Sequence, residues 1–347
     1  MAAPRAGDNL DYPFEVRPEA GETIEIAPGI HWARMRLPFQ LNHINLWLLE
    51  DGDGWTVVDT GVRDEPTAEA WKALFAGPML GRPIKRVIVT HLHPDHVGMA
   101  GWLVRRFDVE LWMSRTDYLM CRNLAADTGH EAPKEGIRFY HAAGFPDDAM
   151  ETYRTRFGGF GKGVYHLPNS YRRIVDRQEI EIGGRVWTVV VGRGHAPEHA
   201  CLWCKELNLF ISGDQILPRI SSNISLFPTE PEADPLRDWL ESCAMLKALL
   251  PEDVLVLPSH NEPFRGARVR LQDLIDDHEQ NLEKLVMLCA EPRRAVDCFP
   301  ALFRAKITAG NFGMATGESL AHLNCLLFRG RIAKRRDANG VDWYQTA

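Results

Sequence analysis

Apolar positions follow two rhythms along this chain. Near the start, short runs with strand-like alternation cover Thr23–Ile26, His31–Leu37, Ile44–Glu50 and Trp55–Asp59, punctuated by Pro28-Gly29 and Gly52-Asp53-Gly54. Compact apolar runs at Val87-Ile88-Val89, Val109–Met113, Val189-Val190-Val191, Leu209-Phe210-Ile211 and Val254–Leu257 predict further buried strands. Gln178–Val191 predicts a hairpin turning at Gly183-Gly184, and Cys201–Lys205 pairs naturally with Leu209–Ser212. The 3.6-residue rhythm predicts helices over Pro66–Phe75, Val97–Phe107 and Pro235–Leu249, and over Arg268–Cys289, which Glu291-Pro292 stops. Two more helices are predicted over Ala295–Lys306 and Ser319–Arg329, then a ribbon over Arg331–Tyr344 turned at Asn339-Gly340. Strands alternating with helices make this an α/β chain.

The pattern divides the 347 residues into three parts. Residues 1–21 lack sustained periodicity and predict a loose N-terminal arm. Residues 22–265 carry the strand-rich domain, and 266–347 a smaller helical region ending in the ribbon. Within the large domain, 114–171 departs from the α/β rhythm. Helical spacing at Tyr118, Leu119, Arg122 and Leu124 gives way to polar sequence and to Gly158-Gly159-Phe160-Gly161-Lys162-Gly163, which is flexible by composition. A connection this long predicts a helical lid or substrate-binding insert, with Tyr165 and His166 as candidates on the substrate side.

Hydrophobic content of 45% and charged content of 25% are ordinary for a globular protein. A net charge of −7 argues against a general nucleic-acid or anionic-membrane binder. No stretch is long and apolar enough to span a bilayer, and the first twenty residues lack the apolar centre of a signal peptide. Seven cysteines, an odd number, predict reduced thiols and a cytoplasmic setting. Cys201-Leu202-Trp203-Cys204 is a lone pair whose sulfurs, on a strand, face opposite sides, which predicts core packing.

The densest chemistry lies in Thr90-His91-Leu92-His93-Pro94-Asp95-His96-Val97-Gly98, directly after a predicted strand. Three imidazoles and a carboxylate so close together are costly to bury as plain structure, and a divalent metal answers both demands. Further candidates follow other strands: His195 in Gly194-His195-Ala196-Pro197-Glu198-His199, Asp214 in Ser212-Gly213-Asp214, and His260 in Pro258-Ser259-His260-Asn261. Loops at one edge of a rigid sheet are where α/β folds gather such groups. His199 reads equally as a buried support or a solvent-facing residue. The small polar segment after Asp214, which includes Asn223, is placed to line a pocket.

His-x-His-x-Asp-His followed by a distal His, an Asp and a last His resembles the ordered signature of the metallo-β-lactamase superfamily, from about Ile24 to about Pro263. The resemblance implies an αββα sandwich. It implies that His91, His93 and His195 hold one metal, that Asp95, His96 and His260 hold a second, and that Asp214 bridges them. Asp59, in the Asp59-Thr60-Gly61 turn, is implied to brace a ligand. The ending is similar to the small winged-helix appendage of one branch, which can mediate homodimer contacts. Arg329, Arg331, Lys334, Arg335 and Arg336 would meet phosphate if it bound nucleic acid, but the acidic chain disfavours that.

Two metals about 3.5–4 Å apart share a bridging water and make it a hydroxide nucleophile. Asp95 is the candidate catalytic carboxylate that orients it. Zinc is the expected metal, because neutral His93 stands where diiron relatives carry Glu; iron or manganese fits the same donors. The expected activity is binuclear hydrolysis of a small-molecule thioester, ester or lactone. Alternatives are a phosphodiesterase or nuclease, a mononuclear iron dioxygenase of the same superfamily, and a non-catalytic binding module. No cysteine ligand appears near Asp214 or Val254. Only 46 positions separate Asp214 from His260, too few for the extra domain of the nucleic-acid-cleaving branch.

Overall fold

The computed structural model describes residues 7–38 and 41–346. Seven strands form a first sheet in sequence order: β1 (Thr23–Ala27), β2 (Ile30–Arg36), β3 (His43–Asp51), β4 (Gly54–Val58), β5 (Ile84–Ile88), β6 (Leu111–Met113) and β7 (Arg172–Arg173). Pairing is antiparallel from β1 to β4 and parallel from β4 onward. A second sheet holds β8 (Glu179–Ile182), β9 (Arg185–Gly192), β10 (His199–Cys204), β11 (Leu209–Gly213) and β12 (Leu255–Pro258), with only the β11–β12 pair parallel. A separate ribbon joins β13 (Ile332–Arg336) to β14 (Asp342–Thr346). The helices are α1 (Glu65–Ala76), α2 (Pro94–Val97), α3 (Ala100–Phe107), α4 (Arg115–Ala126), α5 (Lys134–Ala142), α6 (Asp147–Arg156), α7 (Pro235–Leu249), α8 (Ala267–Leu288), α9 (Phe299–Leu302) and α10 (Phe312–Phe328).

Both faces of the central strands are buried, so their apolar runs are continuous rather than alternating. In β3, Trp47 and Leu49 face the second sheet, while Leu46 and Leu48 face the layer containing α1 and α3. In β10, Leu202 and Cys204 point between the sheets, and Cys201 and Trp203 point toward α7 and α8. Three apolar layers separate helices, sheet, sheet and helices: the αββα sandwich. All seven cysteines are free and buried. Local chemistry starts the helices cleanly. Asp64 accepts from Thr67 N at 2.8 Å to cap α1, and Asp234 accepts from Arg237 N at 3.1 Å to cap α7, each with proline in the first turn.

Several expectations need correction. Val97–Phe107 is not one helix but α2 and α3, broken at Gly98-Met99. The helical ladder is intercepted there: Met99 N donates to Gly61 O at 3.0 Å and Tyr165 N to Gly98 O at 2.8 Å. Ala295–Lys306 yields only a short 3-10 turn and the single turn α9, since Pro300 can donate no ladder hydrogen bond. The last helix begins seven residues early, at Phe312 rather than Ser319, because Gly313 and Gly317 mask its helical character. The 158–163 stretch is ordered, with a 3-10 turn at Phe160–Gly163; a Cβ on Gly161 would stand 2.1 Å from Thr128 Oγ1, so that glycine serves close packing. The arm is packed over its described part, 7–21. Leu10 is buried, and Arg265 N donates to Asp11 O at 2.8 Å. Residues 1–6 lie outside the described set.

The 114–171 insert serves both halves of the molecule. Helix α4 buries Tyr118 and Cys121 in the layer behind the first sheet. Helices α5 and α6 turn to the C-terminal region: His141 Nε2 meets Asn339 O at 2.9 Å, and Phe145 packs on Phe312 with ring centres 5.1 Å apart. A cleft of about 440 Å³ lies between α6 and residues 307–314. The C-terminal helices share one apolar cluster with the second sheet, Leu320 and Tyr344 packing together with Phe210 and Trp239.

Candidate metal centre

The ends of β4, β5, β9, β11 and β12 and the starts of β3 and β10 lie at one edge of the sandwich, and every candidate ligand leaves from that edge. The structure brings together all seven. His91, His93, His195 and Asp214 offer one set of donor atoms within 4.8 Å of one another, and Asp95, His96 and His260 offer a second. Asp214 stands between the sets. Its Oδ2 is 3.4 Å from His195 Nε2, and its Oδ1 is 3.5 Å from His96 Nε2 and 3.4 Å from His260 Nε2. His260 Nε2 is also 3.4 Å from Asp95 Oδ2.

These spacings test whether metals fit. Tetrahedral bonds of about 2.0–2.1 Å put neighbouring donors about 3.3–3.4 Å apart. The buried His96 Nε2, His195 Nε2 and Asp214 Oδ1 have no hydrogen-bond partner among the described residues, a costly state for groups with nothing to bind. Imidazole and carboxylate are the donors that zinc and its neighbours prefer. The residues present therefore fit divalent metal.

Each ligand that presents Nε2 has its other nitrogen engaged. His96 Nδ1 meets Asp59 Oδ2 at 2.8 Å, His195 Nδ1 meets the Asn223 carbonyl at 2.8 Å, and His260 Nδ1 meets the His43 carbonyl at 2.8 Å. His91 Nδ1 lies 3.0 Å from Thr90 Oγ1, itself bonded to Asp59. His93 turns Nδ1 toward His91 Nε2, 2.9 Å away. Such partners fix tautomer and ring orientation. Asp59 takes up φ +62 to reach both His96 and Thr90.

Electrostatics divides the imidazoles. Burial opposes charge on His96, but Asp214, Asp95 and Asp59 outweigh it and hold the ring well above its ordinary range. His260 is raised to about 10 in the same way, burial again being overcome, chiefly by Asp214. His91 falls well below its ordinary range and His93 to about 3, first through burial and then through neighbouring imidazoles. Asp95 is brought down to about 2, as His96 and His260 override the cost of burial.

Several supports were not anticipated. Asp117, on α4, joins two ligand loops: Leu92 N donates to its Oδ1 at 3.0 Å and Glu198 N to its Oδ2 at 2.8 Å, and burial lifts its carboxyl to about 6. Asn45 Nδ2 donates to Pro258 O at 2.8 Å and Asn261 O at 2.7 Å, clasping the His260 loop. His43 Nε2 accepts from Asn261 N at 2.8 Å; burial first, then Arg34, His260 and Arg17, push that ring down to about 3. His199 is buried, and its Nε2 accepts from Asp214 N at 3.0 Å, so it supports the Asp214 backbone from behind.

The substrate-side candidates are not brought together. Tyr165 packs toward the first helical layer with the Arg63 guanidinium 4.7 Å above its ring, and His166 is exposed, its carbonyl bonded to Arg105. Asn223 does reach the centre, but through its carbonyl; its Nδ2 donates to Glu318 Oε2 on α10 at 2.8 Å.

Comparison with known proteins adds kinship. The family model of the metallo-beta-lactamase superfamily matches residues 40–260, and that of the metallo-beta-lactamase-like C-terminal domain matches 282–347. A crystal structure of a beta-lactamase domain protein from Burkholderia ambifaria is 40% identical, covers 97% of this chain and 98% of its own, and superposes with a TM-score of 0.89. A probable metallo-hydrolase of Bacillus subtilis, YqjP, is 24% identical over 318 residues, 89% of this chain and 95% of its own. The human acyl-coenzyme A thioesterase MBLAC2 is 24% identical over 258 residues, 70% of this chain and 82% of its own.

Proposed function

The chain belongs to the metallo-beta-lactamase superfamily, and from that premise we propose that it is a two-metal acyl hydrolase acting on a thioester, ester or lactone. The observation that carries the reading is the set of seven converging donors, with His91, His96, His195 and His260 each engaged at the other ring nitrogen and the inner atoms of His96, His195 and Asp214 unpartnered. His91, His93, His195 and Asp214 would hold one ion, and Asp95, His96 and His260 the other. Zinc suits the neutral imidazole of His93; iron and manganese remain for metal analysis to distinguish. Bound there, such ions supply Lewis acidity toward water and toward an acyl oxygen.

The chain's own residues do the rest. Asp95 is the most open carboxylate of the cluster, its side chain 18% exposed against 9% for Asp214, and so is the group placed to orient a nucleophilic water. Asp214 is held at its backbone by His199 behind, and its carboxylate faces three imidazoles in front. No serine or cysteine nucleophile is needed.

Support for an acyl substrate comes from the thioesterase relative. Nucleic acid is further disfavoured by the C-terminal charges. Arg329 is bonded to Glu279 at 2.7 Å, Arg331 to Glu283 at 3.0 Å and Arg336 to Asp342 at 2.7 Å, and α10 is buried along most of its length. No described helix is long and apolar enough to cross a membrane. The test is a panel of acyl-CoA, acyl-glutathione, lactone and bis(p-nitrophenyl) phosphate with metal-loaded enzyme. Turnover of an acyl compound is expected; turnover of the phosphodiester alone would overturn the reading.

A further inference from the structure

Beside the second ligand set, where β2 and β3 meet the 258–262 loop, two guanidinium groups pair with a single carboxylate and a third stands free. Glu262 pairs with Arg17 and, at 3.4 Å, with Arg219. Arg219 is committed to that place, with Asp8 at 4.0 Å and the Tyr12 ring 4.3 Å from its guanidinium. Arg34 is left over. It stands opposite Asn45 in the β2–β3 ladder, on the same face as the asparagine that clasps the His260 loop. It is half-buried, and its guanidinium has no hydrogen bond or ion pair among the described residues, the buried Nε included. Burial and the neighbouring Arg17 both oppose its charge, with Glu262 and Glu19 offsetting part of that. A partly desolvated cation of this kind is costly unless something anionic meets it.

Its position says what that partner is attached to. Arg34 and Arg17 both act on the His43 imidazole, whose ring centre lies 6.1 Å from that of the ligand His260. In the β2–β3 ladder Arg34 lies opposite Asn45, and two positions on, on the same face, Arg36 lies opposite His43; Asn45 and His43 are the side chains that hold the His260 loop at Asn261, so the free guanidinium stands next to the support of that loop. We propose that Arg34, with Arg17 beside it, is the subsite for an anionic oxyacid group, a carboxylate or a phosphate, carried by the substrate away from its scissile bond; this rests on the acyl-hydrolase reading. The planar fork of arginine matches the paired oxygens of either group, and the same chemistry explains why an unpaired cation stands half-buried beside Asn45 on this face of the sheet.

The experiment uses the full-length, metal-loaded protein with Arg34→Met, which keeps the aliphatic stem, and Arg34→Lys, which keeps the charge without the fork. Steady-state kinetics compare an acyl-CoA (phosphates), an acyl-glutathione (carboxylates) and a neutral acyl ester, and calorimetry titrates free CoA and free glutathione. Losing a charge-assisted contact should raise KM for one anionic thioester about 10- to 100-fold with kcat little changed, leave the neutral ester unaffected, and be partly recovered by lysine. Which thioester responds distinguishes phosphate from carboxylate. Equal changes on anionic and neutral substrates, or no change on any, overturn the subsite. Should the wild type turn over no acyl compound, the hydrolase reading fails and calorimetry still decides: binding of CoA or glutathione that Arg34→Met weakens supports the subsite. Absent binding, or binding that the variant retains, ends it.

Discussion

Asn223 Nδ2 donates a 2.8 Å hydrogen bond to Glu318 Oε2, and the carbonyl of the same asparagine accepts from the ligand His195 at 2.8 Å. Helix α10 of the C-terminal region is thus one residue removed from the metal centre. The link is reinforced on either side: Ser225 Oγ donates to Asn223 Oδ1 at 2.6 Å, and Leu226 N donates to Gly317 O at 3.0 Å. The C-terminal region supports the loop that aims a ligand, in addition to covering the second sheet.

Glu318 should make this link sensitive to pH. Burial lifts its carboxyl to about 7, only partly opposed by the bond from Asn223. The folded value lies above the unfolded one, near 4.3. The neutral acid therefore stabilises the fold fully below about pH 4.3, and that contribution is lost as pH rises through about 7. Glu318→Gln keeps an acceptor for Asn223 without the charge. Its melting temperature should match wild type near pH 5 and exceed it near pH 8. A gap that stays constant over that range would show that Glu318 is not neutral in the folded protein.

Asp59 anchors the ligand His96 and, through Thr90, the start of the metal loop. Asp59→Asn presents an amide to His96 Nδ1 and removes the carboxylate that selects its tautomer. Loss of such a partner typically weakens metal binding about 10- to 100-fold. Elemental analysis after dialysis at low free metal should show the variant retaining less metal than wild type, with activity falling in proportion. Wild-type metal content with normal activity would mean that the ring orientation is set elsewhere.

The sandwich was legible because β11, much of β3 and the later parts of β5 and β9 are buried on both faces and so appear as compact apolar runs, and the convergence of the seven donors because their loops follow such runs. What escaped was support delivered by backbone or across long separations. The carbonyls of His43 and Asn223 orient two ligands, yet a carbonyl leaves no trace in residue type. Asn45 acts across 213 positions, and Asp117 reads as an ordinary acidic residue in the first turn of a helix. The directions of Tyr165, under the Arg63 guanidinium, and of exposed His166 do not follow from proximity to a glycine-rich stretch. The break between α2 and α3 depends on the Gly61 carbonyl, which accepts from Met99 N, and on Tyr165 N, which donates to Gly98 O, both remote from it in sequence.

Asp214→Ala should separate site from scaffold. Three imidazoles lose the carboxylate between them, and the retained His96 and His260 lose a major reason for their raised basicity. Activity should fall below detection and metal content below that of wild type, while far-UV circular dichroism stays unchanged. Wild-type protein treated with a chelator should likewise lose activity, and regain it on adding metal. Activity that survives both interventions would remove the metals from the reaction.

Gly213 sits between Ser212 and Asp214 at the end of β11, with φ +53. A Cβ there would lie 2.4 Å from His199 Cε1 and 2.5 Å from its Nε2, the atom that accepts from Asp214 N. Gly213→Ala therefore combines backbone strain, of order 1–2 kcal/mol, with overpacking of about 1–3 kcal/mol against a ring that cannot retreat. The melting temperature should fall by several degrees and metal binding should weaken, since a displaced His199 releases the backbone of Asp214. Adding His199→Ala removes the ring that the new methyl strikes but also the acceptor for Asp214 N. The double variant should then recover part of the stability lost in Gly213→Ala without recovering metal affinity. Stability and affinity returning together would show that His199 fills space and does not hold Asp214.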